Sequence, residues 1–330
     1  TDCILSDNTA LGGGGMFVEN STPILVNCIF SKNLASSGGG ICITDSNTTL
    51  ADCVFSGNSA MNIGGGMCNW GDSNTTLTNC IFNDNSTTYS GGGIHNDESS
   101  HTILTNCTFT GNSVSYVGIM WGDGGGICNY SCNSTLTNCT FNKNSANWGG
   151  GIFNIWDSNI SLNECIFSEN SASRGGGGLY NTEDSNTMLT ECIFIKNSAG
   201  GGGGLSNVLN RKMTLINCIF SENSADTGGG MGNFISYSTL TNCVFSGNLS
   251  EEKGGGMYNI KSSPTLKNCT FSANVAEYTG GPIIIPPWPP QPPPVYGIGG
   301  AMYNEYSSAE LINCTFTGNR AHEEGGAIFW

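Results

Sequence analysis

The stretch LTNCTFTGNS at residues 104–113 is one copy of a pattern that runs through the whole chain. Related stretches stand at 136–145 (LTNCTFNKNS), 215–224 (LINCIFSENS) and 311–319 (LINCTFTGN). In every copy an asparagine follows the cysteine by five residues, and most of these cysteines are 25 to 27 residues apart. A period of this length predicts a solenoid, in which each repeat packs only against its neighbours.

The composition of the repeat and its alternation of residues with a period of two favour β-structure. Cysteine and phenylalanine alternate with Thr, Ile or Val, which is the period of a strand. Glycine is abundant, with 49 copies among 330 residues, and strong helix formers are scarce. Each unit is too short for a propeller blade of about 40 residues. The sequence therefore predicts an all-β, single-stranded parallel β-helix of about 12 coils, with ~26 residues per coil.

Residues at fixed positions of the repeat are predicted to form columns inside the coil. Leu, Cys and Phe should point inward, and the thiols are expected to serve as small packing residues. Cross-coil disulfides, and more remotely a stack of metal ions, are alternatives for the same column. These core thiols are Cys28, Cys53, Cys80, Cys107, Cys139, Cys165, Cys192, Cys218, Cys243, Cys269 and Cys314.

The recurring asparagine is expected to occupy a corner of each coil. Asparagine tolerates the left-handed backbone conformation, and stacked amides can form a hydrogen-bonded ladder. The predicted ladder consists of Asn33, Asn58, Asn85, Asn112, Asn144, Asn170, Asn197, Asn223, Asn248, Asn274 and Asn319. A second asparagine column, which includes Asn69 and Asn96, follows the glycine-rich strand of each unit.

Residues 1–330 are predicted to form one β-helix domain with two insertions. Residues 115–123 lengthen one unit, and the proline-rich segment 282–298 lengthens another. Both insertions fall just before the glycine-rich strand, and insertions in solenoids map to one face that often binds ligands. Trp121, Trp288 and Tyr296 are therefore candidate binding residues.

Two short motifs of the repeat resemble a known family. FSKN at 30–33 and FTGN at 316–319 match an FxxN motif, and GGAM at 299–302 and GGAI at 325–328 match a GGA-type motif. Together they resemble the repeats of chlamydial polymorphic outer-membrane proteins and their bacterial relatives, although most copies here read GGG. The resemblance implies a right-handed β-helix of the pectin-lyase-like superfamily, secreted or displayed on a cell surface, with adhesive roles.

A column of sulfur and imidazole side chains marks four successive units. Cys42, Cys68, His95 and Cys128 each follow the aliphatic residue of the glycine-rich strand and are expected to point outward. Thiolate and imidazole are zinc ligands, but a straight column does not bring four side chains into a tetrahedron. A Cys42–Cys68 disulfide or free thiols are therefore preferred to a metal site. Aromatic residues elsewhere in this column are either a binding platform or ordinary strand residues.

Acidic turns provide a second candidate ion site. Asp45 and Asp72 should be neighbours in adjacent coils, as should Asp157 and Asp184. Facing carboxylates with asparagine carbonyls could hold Ca²⁺, the one cofactor considered. The preferred interpretation is an Asx-turn, in which each carboxylate bonds its own backbone.

Charge and composition separate the classes of function. The net charge of −15, with only ten Lys and Arg, argues against nucleic-acid binding. No run of about 18 apolar residues exists, so no membrane-spanning helix is expected in this chain. Arginine is almost absent, and no cluster of carboxylates and basic groups interrupts the repeat, which argues against glycoside cleavage or lyase chemistry.

The sequence therefore favours a non-catalytic, extracellular or cell-surface protein that is adhesin-like or structural. Its expected partners are other copies of itself, end to end or lateral and including a filament, or a host-cell or extracellular polymer. The alternative is a polysaccharide-active lyase or hydrolase, or a carbohydrate-binding module.

Overall fold

The chain forms a parallel β-solenoid. The computed structural model describes residues 1–115, 122–210, 212–277 and 297–330. Within these ranges each coil contributes strands to four sheets, equivalent strands of successive coils pair in parallel, and no helix occurs. The predicted all-β solenoid is confirmed. No described helix is long and apolar enough to cross a membrane.

Two sheets meet at the recurring asparagine, and we call them the Phe sheet and the Ser sheet. The Phe sheet follows the repeat cysteine, and its described strands are Ile4–Ser6, Ile29–Ser31, Val54–Ser56, Ile81–Asn83, Thr108–Thr110, Thr140–Asn142, Ile166–Ser168, Ile193–Ile195, Ile219–Ser221, Val244–Ser246, Thr270–Ser272 and Thr315–Thr317. The Ser sheet comes next along each coil, with strands Leu34–Ser37, Ser59–Ile63, Ser86–Thr87, Ser113–Val114, Ser145–Trp148, Ser171–Gly175, Ser198–Gly201, Ser224–Thr227, Leu249–Lys253, Val275–Ala276 and Arg320–Ala321.

The other two sheets complete the coil, and we call them the Gly sheet and the Leu sheet. The Gly sheet follows the glycine triplet, with strands Met16–Glu19, Ile41–Thr44, Met67–Trp70, Ile94–Asn96, Ile127–Tyr130, Ile152–Ile155, Leu179–Thr182, Leu205–Val208, Met231–Phe234, Met257–Ile260, Met302–Glu305 and Ile328–Phe329. The Leu sheet precedes the next cysteine, with strands Ile24–Val26, Asn47–Ala51, Asn74–Thr78, His101–Thr105, Asn133–Thr137, Asn159–Asn163, Thr187–Thr190, Met213–Ile216, Ser238–Thr241, Thr265–Lys267 and Glu310–Ile312.

A ladder of phenylalanines shows how regularly the coils stack. From Phe30 to Phe271 the rings are fully buried, with centroids of neighbouring rings 4.6–4.8 Å apart and planes within 6° of each other. This separation is the spacing between paired strands. Successive coils are therefore related by one strand spacing with little rotation, which keeps every column in register.

The repeat cysteines lie in the core beside this ladder. Their thiols also act as weak donors to backbone carbonyls: Cys165 Sγ lies 3.7 Å from Leu136 O and 3.4 Å from Asn163 O. The same pair of contacts recurs at Cys53, Cys80 and Cys107. A thiol therefore fills the space and also partners carbonyls at the turn. All sixteen cysteines are free in this structure, so the cross-coil disulfide alternative is not realised.

The asparagine ladder is confirmed, but its backbone conformation is not the one expected. From Asn33 to Asn274, each Asn side-chain amide donates to the amide oxygen of the next ladder Asn, as from Asn144 to Asn170 at 2.9 Å. The left-handed residue is the one before the asparagine, such as Lys143 (φ 56°), Glu169 (φ 54°) or Gly247 (φ 62°). The preceding residue makes the turn, and the asparagine itself turns inward, where it is buried.

Candidate functional site

The column of Cys42, Cys68, His95 and Cys128 points out of the coil but is buried. Parallel pairing places these residues side by side on four successive strands of the Gly sheet. Their exposures are only 6%, 0%, 3% and 0%. The glycine turn before each strand closes over the column, since a Cβ at Gly38 would stand 2.8 Å from Cys42 Cβ. The expected exposed face is instead the floor of a groove.

An open cavity of about 550 Å³ lies over this floor and is mostly apolar. Trp70 and Tyr130 come from the Gly sheet, Ile63 ends a strand of the Ser sheet, and Ser90 lies directly before a glycine triplet. Its lining residues are Asn62, Ile63, Trp70, Tyr89, Ser90, His95, Asp97, Tyr130 and Trp156. The indole N–H of Trp70 is buried and has no hydrogen-bond partner among the described residues. The cavity thus offers aromatic walls and one buried donor that lacks a partner.

A chain of polar groups stands at the centre of the cavity. Ser90 Oγ lies 2.7 Å from His95 Nδ1, and the other ring nitrogen, Nε2, lies 3.7 Å from Asp97 Oδ2. Ser90 and His95 are buried, whereas Asp97 is about one-third exposed. The imidazole is therefore held between a hydroxyl and a carboxylate, which fixes its ring orientation.

A second polar pair supports the Tyr130 wall. The Tyr130 hydroxyl donates to Asp123 Oδ2 at 2.7 Å. Burial raises the pKa of the Asp123 carboxyl to about 6, and the hydrogen bond from Tyr130 opposes that shift. Burial, together with nearby acidic groups, raises the pKa of Tyr130 above its usual value, so the phenol stays protonated.

The groove continues along the solenoid. A second cavity of about 360 Å³ is lined by Trp148, Arg174, Gly175, Tyr180, Gly200, Gly201, Ser206, Val208 and Phe234. One packed cluster that includes Tyr130, Phe153 and Tyr180 joins the two cavities. The Arg174 guanidinium lies 5.7 Å above the Trp148 ring. Aromatic rings therefore recur on successive coils along the rod axis.

The predicted metal sites are not assembled. No group of three or more His, Cys, Asp or Glu within the described ranges is placed to hold a metal ion. Cys42 and Cys68 are neighbours and both are free thiols in this structure, one of the two arrangements preferred from the sequence. Asp45 Oδ1 accepts a hydrogen bond from the Asp72 backbone N–H at 3.3 Å, a contact between coils rather than the expected local Asx-turn.

The remaining predicted residues lie at the edge of the groove or outside the described ranges. Asp157 and Asp184 line an open depression beside the exposed ring of Trp156. The binding candidates Trp121, Trp288 and Tyr296 lie outside the described residues. The described ends of the shorter insertion, however, adjoin the first cavity, because the N–H groups of Gly122 and Asp123 donate to Tyr89 O.

Sequence reasoning identified His95 but missed the walls of the groove. Trp70, Asp97 and Tyr130 occupy one column, three residues after the aliphatic of the Gly sheet. Ser90 and Asp123 share another column, directly before the glycine triplet. The residue type in both columns changes from coil to coil, and this variation could have marked these positions as part of a candidate site. The two columns lie close together only because each coil closes on itself, and the pattern of residues along the sequence does not show this.

The ladders, the parallel sheets and the lateral groove define a parallel β-helix protein. The family model for the right-handed β-helix region matches residues 1–194 and 151–330, which together span the chain. The chain therefore belongs to the right-handed β-helix family. No curated protein matches the sequence.

Solved structures with a similar fold include alginate epimerases. The periplasmic alginate epimerase AlgG is 11% identical, with a TM-score of 0.46 and coverage of 92% of this chain and 75% of that chain. The A-module of the Azotobacter vinelandii mannuronan C-5 epimerase AlgE6 is 10% identical, with a TM-score of 0.38 and coverage of 90% of each chain. A likeness this distant carries no argument about activity.

Proposed function

We propose that this protein is a non-catalytic glycan-binding β-helix whose ligand lies along the lateral groove. The observation that carries the proposal is the cavity of about 550 Å³ walled by Trp70, Tyr89, Tyr130 and Trp156. Sugar rings present apolar faces that stack on aromatic side chains, and their hydroxyls use the polar groups between them. Asn62, Ser90 and Asp97 supply such polar groups in the same cavity.

The charge of the groove favours a neutral glycan. Asp97 reaches the first cavity, and the described residues that line this cavity include no Lys or Arg. An anionic polymer would meet repulsion there as well as from the net charge of −15. The lining therefore supports an uncharged polysaccharide rather than a uronic acid polymer.

The test is a binding screen against soluble and insoluble polysaccharides with two matched variants. Trp156→Ala removes a half-exposed ring from the first cavity. Tyr306→Ala removes an exposed ring from the equivalent turn of a later coil, away from either cavity. We expect Trp156→Ala to weaken binding roughly tenfold, as the loss of one stacked ring implies, and Tyr306→Ala to leave it unchanged. Equal effects of the two variants would contradict the proposal.

A polysaccharide-active enzyme is the second candidate, because the Ser90–His95–Asp97 chain lies in the first cavity. His95 is the candidate proton acceptor of that chain, because its ring lies between the Ser90 hydroxyl and the Asp97 carboxylate. A depolymerisation screen with and without Ca²⁺ separates the candidates. Release of oligosaccharides by the wild type, abolished in His95→Gln, would replace the binding function with a catalytic one.

The same proposal places the protein outside the cell or at its surface, in an adhesive role. The resemblance of its FxxN and GGA-type motifs to surface-protein repeats supports this location. Labelling of intact cells with a membrane-impermeant amine reagent should modify its exposed lysines, such as Lys143 and Lys196. Labelling only after lysis would contradict the location.

A further inference from the structure

Two thiols lie together under one end of the groove. Cys42 and Cys68 are register partners on neighbouring parallel strands, and both are free. Strands paired in this way stand about 4.8 Å apart, inside the 4.4–6.8 Å range of Cα separations that disulfides span. Neither thiol belongs to the main core, which holds the repeat cysteines. The two residues are therefore close enough to form a disulfide, and neither is part of the column of core thiols.

The two thiols differ in access and in acidity. Cys42 is 6% exposed, whereas Cys68 is fully buried. The hydrogen bond with Cys68 lowers the pKa of the Cys42 thiol below its usual value. Burial raises the pKa of the Cys68 thiol, and interaction with Cys42 raises it further. A less buried thiol with a lowered pKa beside a fully buried thiol is the arrangement of a nucleophilic cysteine and its resolving partner.

We propose that Cys42 and Cys68 form a reversible dithiol–disulfide pair that regulates ligand binding in the groove. The regulatory part of this inference rests on the proposed glycan-binding function, whereas formation of the bond does not. A small disulfide of the glutathione type is the oxidant, and it is the natural partner for an extracellular or surface thiol.

The exchange runs in two balanced steps. The Cys42 thiolate attacks one sulfur of the small disulfide, which forms a mixed disulfide and releases one small thiolate. Cys68, as its proton leaves to solvent or to that thiolate, attacks the Cys42 sulfur and releases the second small thiol. Two electrons pass from the protein dithiol to the oxidant, and a dithiol reagent reverses the reaction.

Trp70 connects the thiol pair to the groove. It stands two residues after Cys68 on the same strand and forms part of the cavity wall. Side chains two residues apart on a strand point to the same face, so Trp70 and Cys68 share one side of the Gly sheet. A bond to Cys42 draws the Cys68 sulfur toward the neighbouring strand and changes the packing on the face that Trp70 shares. Oxidation should therefore change how firmly Trp70 is held.

Three other buried thiols are poorly suited to this reaction. The neighbouring thiol of the next coil, together with burial, raises the pKa of Cys80 and of Cys107 to about 12. Burial raises the pKa of Cys132 to about 12 as well. These side chains are also sealed from solvent. The reaction should therefore prefer the Cys42–Cys68 pair to these three thiols.

The test uses the intact protein equilibrated with mixtures of reduced and oxidised glutathione, followed by alkylation and peptide mass spectrometry. We expect one disulfide, Cys42–Cys68, that is lost in Cys42→Ser and Cys68→Ser and retained in the matched control Cys132→Ser. In Cys68→Ser, Cys42 should accumulate as a glutathione adduct. Absence of the disulfide from correctly folded wild type, or its formation between core thiols instead, would overturn the proposal.

The second readout is glycan affinity of the reduced and oxidised forms, with Trp fluorescence as a monitor of Trp70. We expect oxidation to weaken binding at least about threefold and reduction to restore it. Unchanged affinity with the disulfide formed overturns the regulatory part. Failure of both forms to bind any glycan overturns the proposed function, while the mass spectrometric result still decides whether the pair forms.

Discussion

The buried asparagine is the residue that joins one coil to the next. The Asn170 side-chain amide donates to Phe141 O and to Asn197 Oδ1, each at 2.9 Å. Its own Oδ1 accepts the backbone and side-chain N–H groups of Asn144. Aspartate lacks the donor, and glutamine is one carbon too long for both contacts. The strict recurrence of asparagine therefore follows from hydrogen bonding alone.

Replacing one ladder amide should destabilise the fold far more than replacing an exposed one. Asn170→Ala removes four buried hydrogen bonds, two accepted from Asn144 and two donated to Phe141 O and Asn197 Oδ1, and we expect a loss of about 3 kcal/mol or more. The control is Asn74→Ala, since Asn74 donates to Asn47 Oδ1 on the surface, and it should cost about 0.5 kcal/mol. Urea unfolding measures both. Similar losses in the two variants would refute the argument.

The raised pKa of Asp123 predicts that this carboxyl group destabilises the folded state in a pH-dependent way. Its folded-state value of about 6 exceeds the usual 3.8, so the native state binds its proton more tightly than the unfolded state does. The contribution of Asp123 to the free energy of unfolding therefore falls as pH rises from about 4 to 6 and stays reduced above that window.

Asp123→Asn should remove that cost while its amide oxygen still accepts the Tyr130 hydroxyl. We expect the free energy of unfolding to increase by on the order of 2–3 kcal/mol at pH 7.5, and this increase should vanish below about pH 4. Denaturant unfolding at several pH values gives the comparison. A gain that does not depend on pH would point to packing rather than to the carboxyl charge.

At the scale of the element, the glycine triplet forms the wall that closes over the groove floor. The first glycine of each triplet has a left-handed backbone, as at Gly149 (φ 62°). The second has no room for a side chain, because a Cβ at Gly150 would stand 2.4 Å from Ser171 O and 2.5 Å from Gly177 O. The third tolerates alanine in two coils, where Ala301 and Ala327 replace it. The triplet is thus a turn followed by a close approach of backbones.

Gly150→Ala and Gly247→Ala separate these two requirements. At Gly247 the backbone is also left-handed, but the nearest atom to an added Cβ is Glu222 Cγ at 3.9 Å. We expect Gly247→Ala to cost about 1 kcal/mol from backbone strain. Gly150→Ala must displace backbone of two neighbouring strands and should cost about 3 kcal/mol or more. Thermal unfolding that ranks the two equally would contradict the steric argument.

Regular positions were predictable from the sequence, whereas the groove was not. Cys165, Phe167 and Asn170 recur at fixed offsets. Strand parity alone placed the first two in the core, whereas the asparagine was expected at a corner. The burial of His95 depends on the preceding glycine turn folding back over the Gly sheet, which is a contact between two elements of one coil. Trp70 and Ser90 meet only because different coils stack in register. The repeat in the sequence predicts which residues stack on one another in successive coils. The way each coil closes decides which of these columns lie next to each other.

At the scale of the molecule, the groove is an extended surface rather than a single pocket. Trp70 in the first cavity and Phe234 in the second lie on Gly-sheet strands six coils apart. At one strand spacing per coil this is roughly 28 Å. A glycan of a few units can fill one cavity, whereas a long chain can occupy both. Affinity should therefore rise with chain length until both cavities are filled.

Variants in the two cavities should respond differently to ligand length. Tyr89→Ala alters the first cavity, and Arg174→Ala removes the cation above Trp148 in the second. For a short oligosaccharide, which should prefer the larger first cavity, we expect only Tyr89→Ala to reduce affinity, by about tenfold. For a long chain of the same sugar both variants should reduce it, because each removes one part of a shared site. Isothermal titration with a length series measures these effects. If Arg174→Ala had no effect at any length, the ligand would occupy a single cavity and the extended groove would not be the binding surface.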